Sequence, residues 1–131
     1  MRTALRIALG IGGLLFILIG LAFLFQPAQM AALFFIEAQG SQGFATIRAD
    51  LTAFFVVGGL FATLGAVRQD PELLKVPLLL LAIALLGRTV SLVVDGRGPE
   101  AIQPMVVEAL FIGLIVAAQR VFSQHKRNSQ P

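Results

Sequence analysis

Cysteine, tryptophan and tyrosine are absent from this sequence of 131 residues, and only 13% of its residues are charged. Without cysteine, the chain has no disulfide framework, no thiolate nucleophile and no cysteine-ligated metal site. Soluble domains carry about 25% charged residues, so the low charge excludes an ordinary soluble domain. It also excludes intrinsic disorder, which requires high charge and few apolar residues. Without tryptophan and tyrosine, the chain lacks the aromatic belt that is common at membrane surfaces.

Long apolar runs dominate what is present, because 57% of the residues are hydrophobic. Four runs have about the length that a helix needs to cross the roughly 30 Å hydrocarbon core of a membrane. They cover residues 7–25, 49–67, 76–94 and 105–122. We therefore predict an all-α fold, an integral membrane four-helix bundle in which residues 1–122 form a single domain. Residues 123–131 are expected to form a polar tail that frays.

The lysines and arginines predict the orientation of the bundle, since short cytoplasmic loops carry the excess of these residues. Seven of the ten fall on the side that holds both termini. They are Arg2, Arg6, Arg68, Lys75, Arg120, Lys126 and Arg127. With the two acids on that side, the net charge is +5 there and −2 in the remaining half. We expect a multi-pass protein of the bacterial inner membrane with both termini cytoplasmic, and no nucleic acid as partner.

A cleaved signal peptide is the alternative for the first run, because Arg2 and Arg6 precede it. The apolar core of a signal peptide has about 7–15 residues. The run at 7–25 has 19, so we favour a retained span.

Two further patterns concern packing. Small residues recur every four positions in each span, as in the row Ala4, Ala8 and Gly12, and such rows let helices approach closely in lipid. Residues 27–36 predict a short helix that lies at the outer interface, with Met30, Leu33 and Phe34 on its apolar side. A lid over an outer cavity is the alternative for this segment.

Polar and ionisable residues of the outer half form the candidate site, because such residues are costly inside a membrane and mark function by default. They are Arg48, Asp50, Arg88, Ser91, Asp95 and Glu108. Arg88, Ser91 and Asp95 stand at i, i+3 and i+7 of one helix and share a stripe. If the helices pack in sequence order, Arg88 meets Glu108 or Asp50.

Two interpretations of this cluster stay open. It is either a buried ion-pair network that fixes the helices, or a pocket in which Arg88 binds an anionic headgroup or carboxylate. No span contains histidine or cysteine, and Ser91 has no histidine to activate it. We therefore expect no catalytic residue, no metal and no cofactor.

The leading hypothesis is a non-enzymatic bundle that binds a lipid-like or anionic ligand, or that acts as an accessory subunit of a membrane complex. The alternative is a small transporter or proton-coupled carrier that uses Arg88, Glu108 and Asp50. An intramembrane enzyme is disfavoured. The expected partners are membrane lipid and either a second copy of the chain or other membrane subunits.

Four sequence features carry a family resemblance. They are Pro27 after the first span, the segment 47–50 (Ile-Arg-Ala-Asp), the segment 87–96 from Gly-Arg-Thr-Val-Ser-Leu to Asp-Gly, and Glu108. With them, the chain resembles an uncharacterised family of small four-span bacterial membrane proteins grouped with the DoxX-like proteins. The resemblance implies a four-helix membrane bundle and draws attention to Arg48, Arg88, Asp95 and Glu108. The sequence departs from the family pattern at Thr52 and Ala53, where relatives tend to have a glycine pair.

Overall fold

The computed structural model describes residues 1–96, 98 and 100–128, and every regular element in those ranges is helical. In chain order these elements are α1 (Arg2–Phe25), α2 (Pro27–Leu33), α3 (Gly40–Thr46), a π-helical turn (Ile47–Leu51), α4 (Thr52–Arg68), α5 (Lys75–Val94) and α6 (Ile102–Asn128). The all-α fold predicted from the sequence is confirmed.

Four helices have the length and the apolar composition of membrane spans, as expected of an integral membrane protein. They are Arg2–Phe25, Gly40–Arg68, Lys75–Val94 and Ile102–Asn128. The second is one continuous helix of 29 residues that joins α3, the π-helical turn and α4. At 1.5 Å per residue it is about 43 Å long, which exceeds the hydrocarbon thickness.

The first, second and fourth helices extend beyond the predicted spans. The tail, predicted to fray, continues α6 as far as Asn128, while residues 129–131 lie outside the described residues. No proline or glycine interrupts the segment 123–128, and its cationic side chains favour the C-terminal end of a helix.

The four long helices form a ring in which α1 contacts α4 and α6, α4 contacts α5, and α5 contacts α6. Because consecutive spans are antiparallel, the chain has two ends. We call the end that holds residues 1–6, 69–74 and 123–128 the terminal face. The end that holds residues 26–46 is the opposite face.

The most extensive helix contact is between α1 and α4, and glycine makes it possible. A Cβ at Gly13 would collide with the Thr63 hydroxyl and with the Gly59 carbonyl oxygen. A Cβ at Gly59 would in turn collide with the backbone of α1. The two backbones therefore touch, as small residues allow in membrane helices.

The register of this contact differs from the predicted row on α1. Ala4 and Ala8 are exposed, whereas Leu9 and Gly13 are buried. Gly12 faces the ring of Phe111 instead, which belongs to α6. The contact is therefore shifted by one residue from the predicted row, because Gly59 of α4 lies against Gly13 and not against Gly12.

Buried side chains form two separate clusters. The larger cluster lies in the half of the bundle near the terminal face, and it contains Leu9, Ala66, Leu74, Leu81, Ile115, Ala118 and Phe122. The smaller lies near the opposite face, and it contains Phe23, Ala31 and Ile47 from α1, α2 and the π-helical turn. The buried residues of α5 and α6 all lie in the halves nearer the terminal face.

Polar contacts tie the helices together at the terminal face. Arg6 of α1 donates from Nε to the Ala66 carbonyl oxygen at 3.2 Å, close to the C-terminus of α4. Gln119 of α6 donates to the Pro71 carbonyl oxygen at 3.3 Å. A cation near the C-terminal carbonyl groups of a helix is stabilising because it opposes the helix dipole.

The connector at the opposite face contains the expected short helix. Pro27 and Ala31 are buried against α1. Phe34 also turns inward, with its ring centroid 5.0 Å from that of Phe23. Leu33, in contrast, is 70% exposed and is not covered by the rest of the bundle.

Replacement of Gly13 by alanine is expected to lower the free energy of unfolding by about 1–3 kcal/mol, because backbone atoms of α4 cannot move away from the added methyl group. The measurement is the thermal unfolding midpoint in detergent. Gly113→Ala is the matched control, since no atom lies within 4 Å of a Cβ at that position. Equal midpoints for the two variants would contradict the close α1–α4 contact.

Candidate functional site

An ion pair between α5 and α6 is the centre of the candidate site. Arg88 Nε donates to Glu108 Oε1 at 2.9 Å. The Arg88 side chain is 40% exposed and the Glu108 side chain only 12%. The structure therefore brings together two of the six residues singled out from the sequence, one from each helix.

The positions of the two residues in their helices explain why they meet. Arg88 lies six residues before the end of α5 at Val94, and Glu108 lies six residues after the start of α6 at Ile102. At 1.5 Å per residue, each lies about 9 Å along its helix from the opposite face. Since α5 and α6 are adjacent and antiparallel, the two side chains reach the same depth.

Arg88 belongs to the face of α5 that turns toward the bundle. Leu81 is buried, and Leu85, Arg88 and Leu92 are half-buried, whereas the other side of the helix is exposed. A spacing of three or four residues places all four on one stripe. The guanidinium group of Arg88 therefore lies at the edge of the bundle interior and not on the exposed side of α5.

The second oxygen of Glu108 has no partner within the described residues. Its Oε2 is buried and accepts no hydrogen bond, although Oε1 is bound to Arg88. The hydroxyl oxygen of Thr52, at the start of α4, is likewise buried without a partner there. Unpaired buried polar atoms are uncommon in proteins, and each calls for an explanation.

A layer of phenylalanine rings lies beneath these two oxygen atoms. The ring of Phe16 on α1 is 5.3 Å from that of Phe55 on α4 and 5.3 Å from that of Phe111 on α6. Thr52 and Glu108 each precede one of these rings by three residues, which places them one helical turn nearer the opposite face. The two polar oxygen atoms therefore lie on the opposite-face side of an apolar layer of aromatic rings.

The helix halves around Arg88 pack loosely. None of the residues 82–94 of α5 is buried, nor is any of the residues 102–114 of α6. The glycines Gly87 and Gly113 have no atom within 4 Å of an added Cβ. In these halves the ion pair, and no buried apolar cluster, joins the two helices.

The other four predicted site residues do not join the pair. Ser91 donates from its hydroxyl to Asp95 Oδ2 at 2.6 Å, and both residues are exposed. Arg48 and Asp50 are exposed in the π-helical turn, and neither side chain has an ion-pair partner in the described part of the chain. The six residues therefore divide into separate groups, and Arg88 meets Glu108 and not Asp50.

Sequence reasoning missed three parts of this site, namely the π-helical turn, the buried Thr52 hydroxyl and the phenylalanine layer. π-Helical turns are rare and occur frequently at functional sites. The Ile-Arg-Ala-Asp segment contains two candidate site residues, Arg48 and Asp50, but its composition is compatible with an ordinary α-helix and does not indicate a π-helical turn. The ring layer depends on contacts between helices that are distant in sequence.

The family of the chain follows from comparison with known proteins. A family model described as Domain of unknown function (DUF4345) matches residues 4–119. The chain belongs to the DUF4345 family. Nothing matches the chain among curated proteins, and nothing matches it among solved structures.

The DUF4345 match includes Arg88, Glu108, Thr52 and the phenylalanine layer, so the candidate site lies wholly inside the family domain. The family description gives no activity. Among the described residues, no group of three histidine, aspartate or glutamate side chains is placed to hold a metal ion. The function must therefore be argued from the chemistry of the ion pair.

Replacement of Arg88 by methionine is expected to destabilise the bundle by about 1–3 kcal/mol, since it leaves the mostly buried Glu108 carboxylate without its cation. The double variant Arg88→Met, Glu108→Leu is expected to recover most of this loss, because neither charge then remains. The measurement is the thermal midpoint of each variant in the same detergent. No recovery in the double variant would contradict the pairing.

Proposed function

We propose that this DUF4345 protein is a non-enzymatic membrane bundle that binds an anionic, lipid-like ligand at Arg88. The observation that carries the proposal is the partial exposure of an arginine that is already held in place by an ion pair. Arg88 is 40% exposed although it is paired with Glu108, so part of its guanidinium group is accessible to a further anion. A binding site requires this arrangement, because the cation must be both fixed and accessible.

The way in which Glu108 contacts Arg88 supports anion binding. Glu108 accepts only from Nε, and the terminal nitrogen atoms of Arg88 make no other hydrogen bond within the described residues. The planar guanidinium group binds phosphate or carboxylate through two parallel hydrogen bonds. One edge of Arg88 is thus fixed to α6, and the other is available to a ligand.

The loose packing around the pair supports a ligand that arrives from the membrane. Apart from Thr89, Ser91 and Gln103, the exposed residues of α5 and α6 near Arg88 are apolar and would face lipid chains. They include Leu86 at 64%, Val90 at 52%, Val107 at 57% and Leu110 at 70% exposed. An apolar surface of this kind favours a ligand with acyl chains over a strongly hydrated solute.

We further propose that the protein lies in the bacterial inner membrane with both termini in the cytoplasm. The support is that seven of the ten basic residues lie toward the terminal face. The opposite face, with Arg88 about 9 Å along its helix from that side, would then face the outer leaflet. Relation to the DoxX-like proteins and association with other subunits belong to the same proposal.

The orientation is testable by cysteine labelling, because the natural chain has no cysteine that would give background. We expect a membrane-impermeant maleimide to label Ser41→Cys in intact spheroplasts and to label Gln124→Cys only after lysis. Both positions are exposed and lie at opposite faces of the bundle. Labelling of Gln124→Cys before lysis would contradict the proposed orientation.

Ligand binding is testable by native mass spectrometry after gentle extraction. We expect the wild-type protein to retain one anionic lipid and Arg88→Gln to retain at least tenfold less, as loss of a charge-assisted contact implies. Arg120→Gln is the matched control. It removes an exposed arginine from the same helix as Glu108, far from the ion pair.

Equal lipid retention in the two arginine variants would contradict the proposed site.

The second candidate function, a proton-coupled carrier, is favoured by the unpartnered buried oxygen of Glu108, which is an available proton acceptor. Proton flux into proteoliposomes that Glu108→Gln abolishes, together with absent lipid retention, would support the carrier instead.

A further inference from the structure

We infer that a second copy of the chain docks on the exposed side of the π-helical turn, so that Arg48 of each copy pairs with Asp50 of the other. The interface is symmetric, and Ala49 lies at its centre. This inference goes beyond the proposed function, because it concerns the surface of the second span and not the anion site at Arg88.

Two opposite charges on the second span lack a partner within the described part of the chain. Arg48 and Asp50 are both exposed, and neither side chain makes an ion pair or a hydrogen bond with a described residue. They do not neutralise each other, because side chains two positions apart on a helix do not face each other. A surface that carries one cation and one acid, both available, is complementary in charge to a copy of itself.

The depth of these charges favours pairing between chains. A Cβ at Gly20 of α1 would meet the backbone nitrogen of Val56 on α4. Since the two helices are antiparallel, five residues further along α1 and five residues back along the second span bring Phe25 level with Leu51. The two charges therefore lie where the first apolar run ends, at the border between hydrocarbon and headgroups. Water screens charges less at such a border than in bulk solution, so opposite charges attract more strongly there.

The π-helical turn presents the two charges on either side of a small residue. Ile47 is buried and Leu51 is half-buried against the smaller apolar cluster, whereas the three residues between them are exposed. Successive side chains of a helix are rotated by roughly 100° about its axis. Arg48 and Asp50 therefore project to opposite sides of Ala49, which forms the middle of the exposed surface.

Twofold symmetry brings the opposite charges together. Two copies inserted in the same direction are related by an axis along the membrane normal, so their second spans run parallel at equal depth. When Ala49 faces Ala49, the side chain to its left on one copy faces the side chain to its right on the other, as in a parallel coiled coil. Arg48 of each copy then meets Asp50 of the other, and the pair occurs twice. The two residues differ by only about 3 Å along the helix axis, which an arginine side chain spans.

The rest of this helix face leaves room for a second copy. Exposed residues follow one another at intervals of three or four positions, which places them on one stripe. They are Ala45, Ala49, Ala53, Val57 and Leu60. The three alanines lie around the charges, so two backbones can approach closely at that level. The larger Val57 and Leu60 continue the apolar contact toward the middle of the span.

A cysteine at the centre of the interface tests its position, because the chain has no cysteine of its own. In full-length protein reconstituted in lipid vesicles, we expect oxidation to cross-link Ala49→Cys about tenfold more than Ala109→Cys, since only residues beside the twofold axis bring two sulfur atoms within bonding distance. Ala109 is the matched control, as an exposed alanine of α6. Equal cross-linking of the two variants, or none in either, would overturn the interface.

Charge reversal tests the pairing itself. Arg48→Glu and Asp50→Lys each bring like charges together in a symmetric dimer, so each variant should associate with itself about tenfold less than wild type. A mixture of the two variants should associate as wild type does, because both pairs then join opposite charges again. The measurement is capture of one variant by a tag on the other after reconstitution in the same vesicles. Glu37→Lys is the control, since it reverses an exposed charge of the connector and should change nothing.

Thermal midpoints separate misfolding from loss of pairing. The single variants should keep the wild-type midpoint in detergent, because both side chains are exposed. The double variant Arg48→Glu, Asp50→Lys carries both reversals in one chain and should regain self-association. Failure of both the mixture and the double variant to recover would overturn the pairing. A wild-type chain that stays monomeric in vesicles would overturn the whole inference, while lipid retention at Arg88 would still be decided by its own variants.

Discussion

The backbone contact between α1 and α4 is the constraint on which the rest of the structure depends. Gly13 and Gly59 face each other so closely that neither position has room for a Cβ atom. In lipid, helices gain little from apolar burial alone, so close van der Waals packing of this kind determines which helices associate. The contact fixes the rotation of both helices. It thereby directs Phe16 toward α6 and Phe55 toward α1.

Once α1 and α4 are fixed, the bundle is asymmetric along its length. The larger apolar cluster joins all four long helices near the terminal face, where Leu81 and Ile115 bring α5 and α6 to the core. Toward the opposite face, the smaller cluster uses α1, α2 and the π-helical turn and leaves out α5 and α6. Those two helices therefore have no buried apolar side chain in the region where the ion pair joins them.

The ion pair has a structural and a chemical consequence there. It neutralises two charges that would each be costly alone within a membrane span. Because the Arg88 side chain is 40% exposed and the Glu108 side chain only 12%, the positive member of the pair is the more accessible one. This fixed and accessible cation is the feature on which the proposed anion binding rests.

The sequence by itself determined the helical class and the four spans, because hydropathy and length are local properties of each segment. It also singled out Arg88 and Glu108, since charges are rare inside apolar runs. Only the tertiary structure decided that Arg88 pairs with Glu108, that Ser91 bonds to Asp95, and that Gly13 rather than Gly12 contacts α4. These outcomes depend on how each helix is rotated about its axis. Spans that are apolar on every side leave that rotation undetermined until the backbones pack.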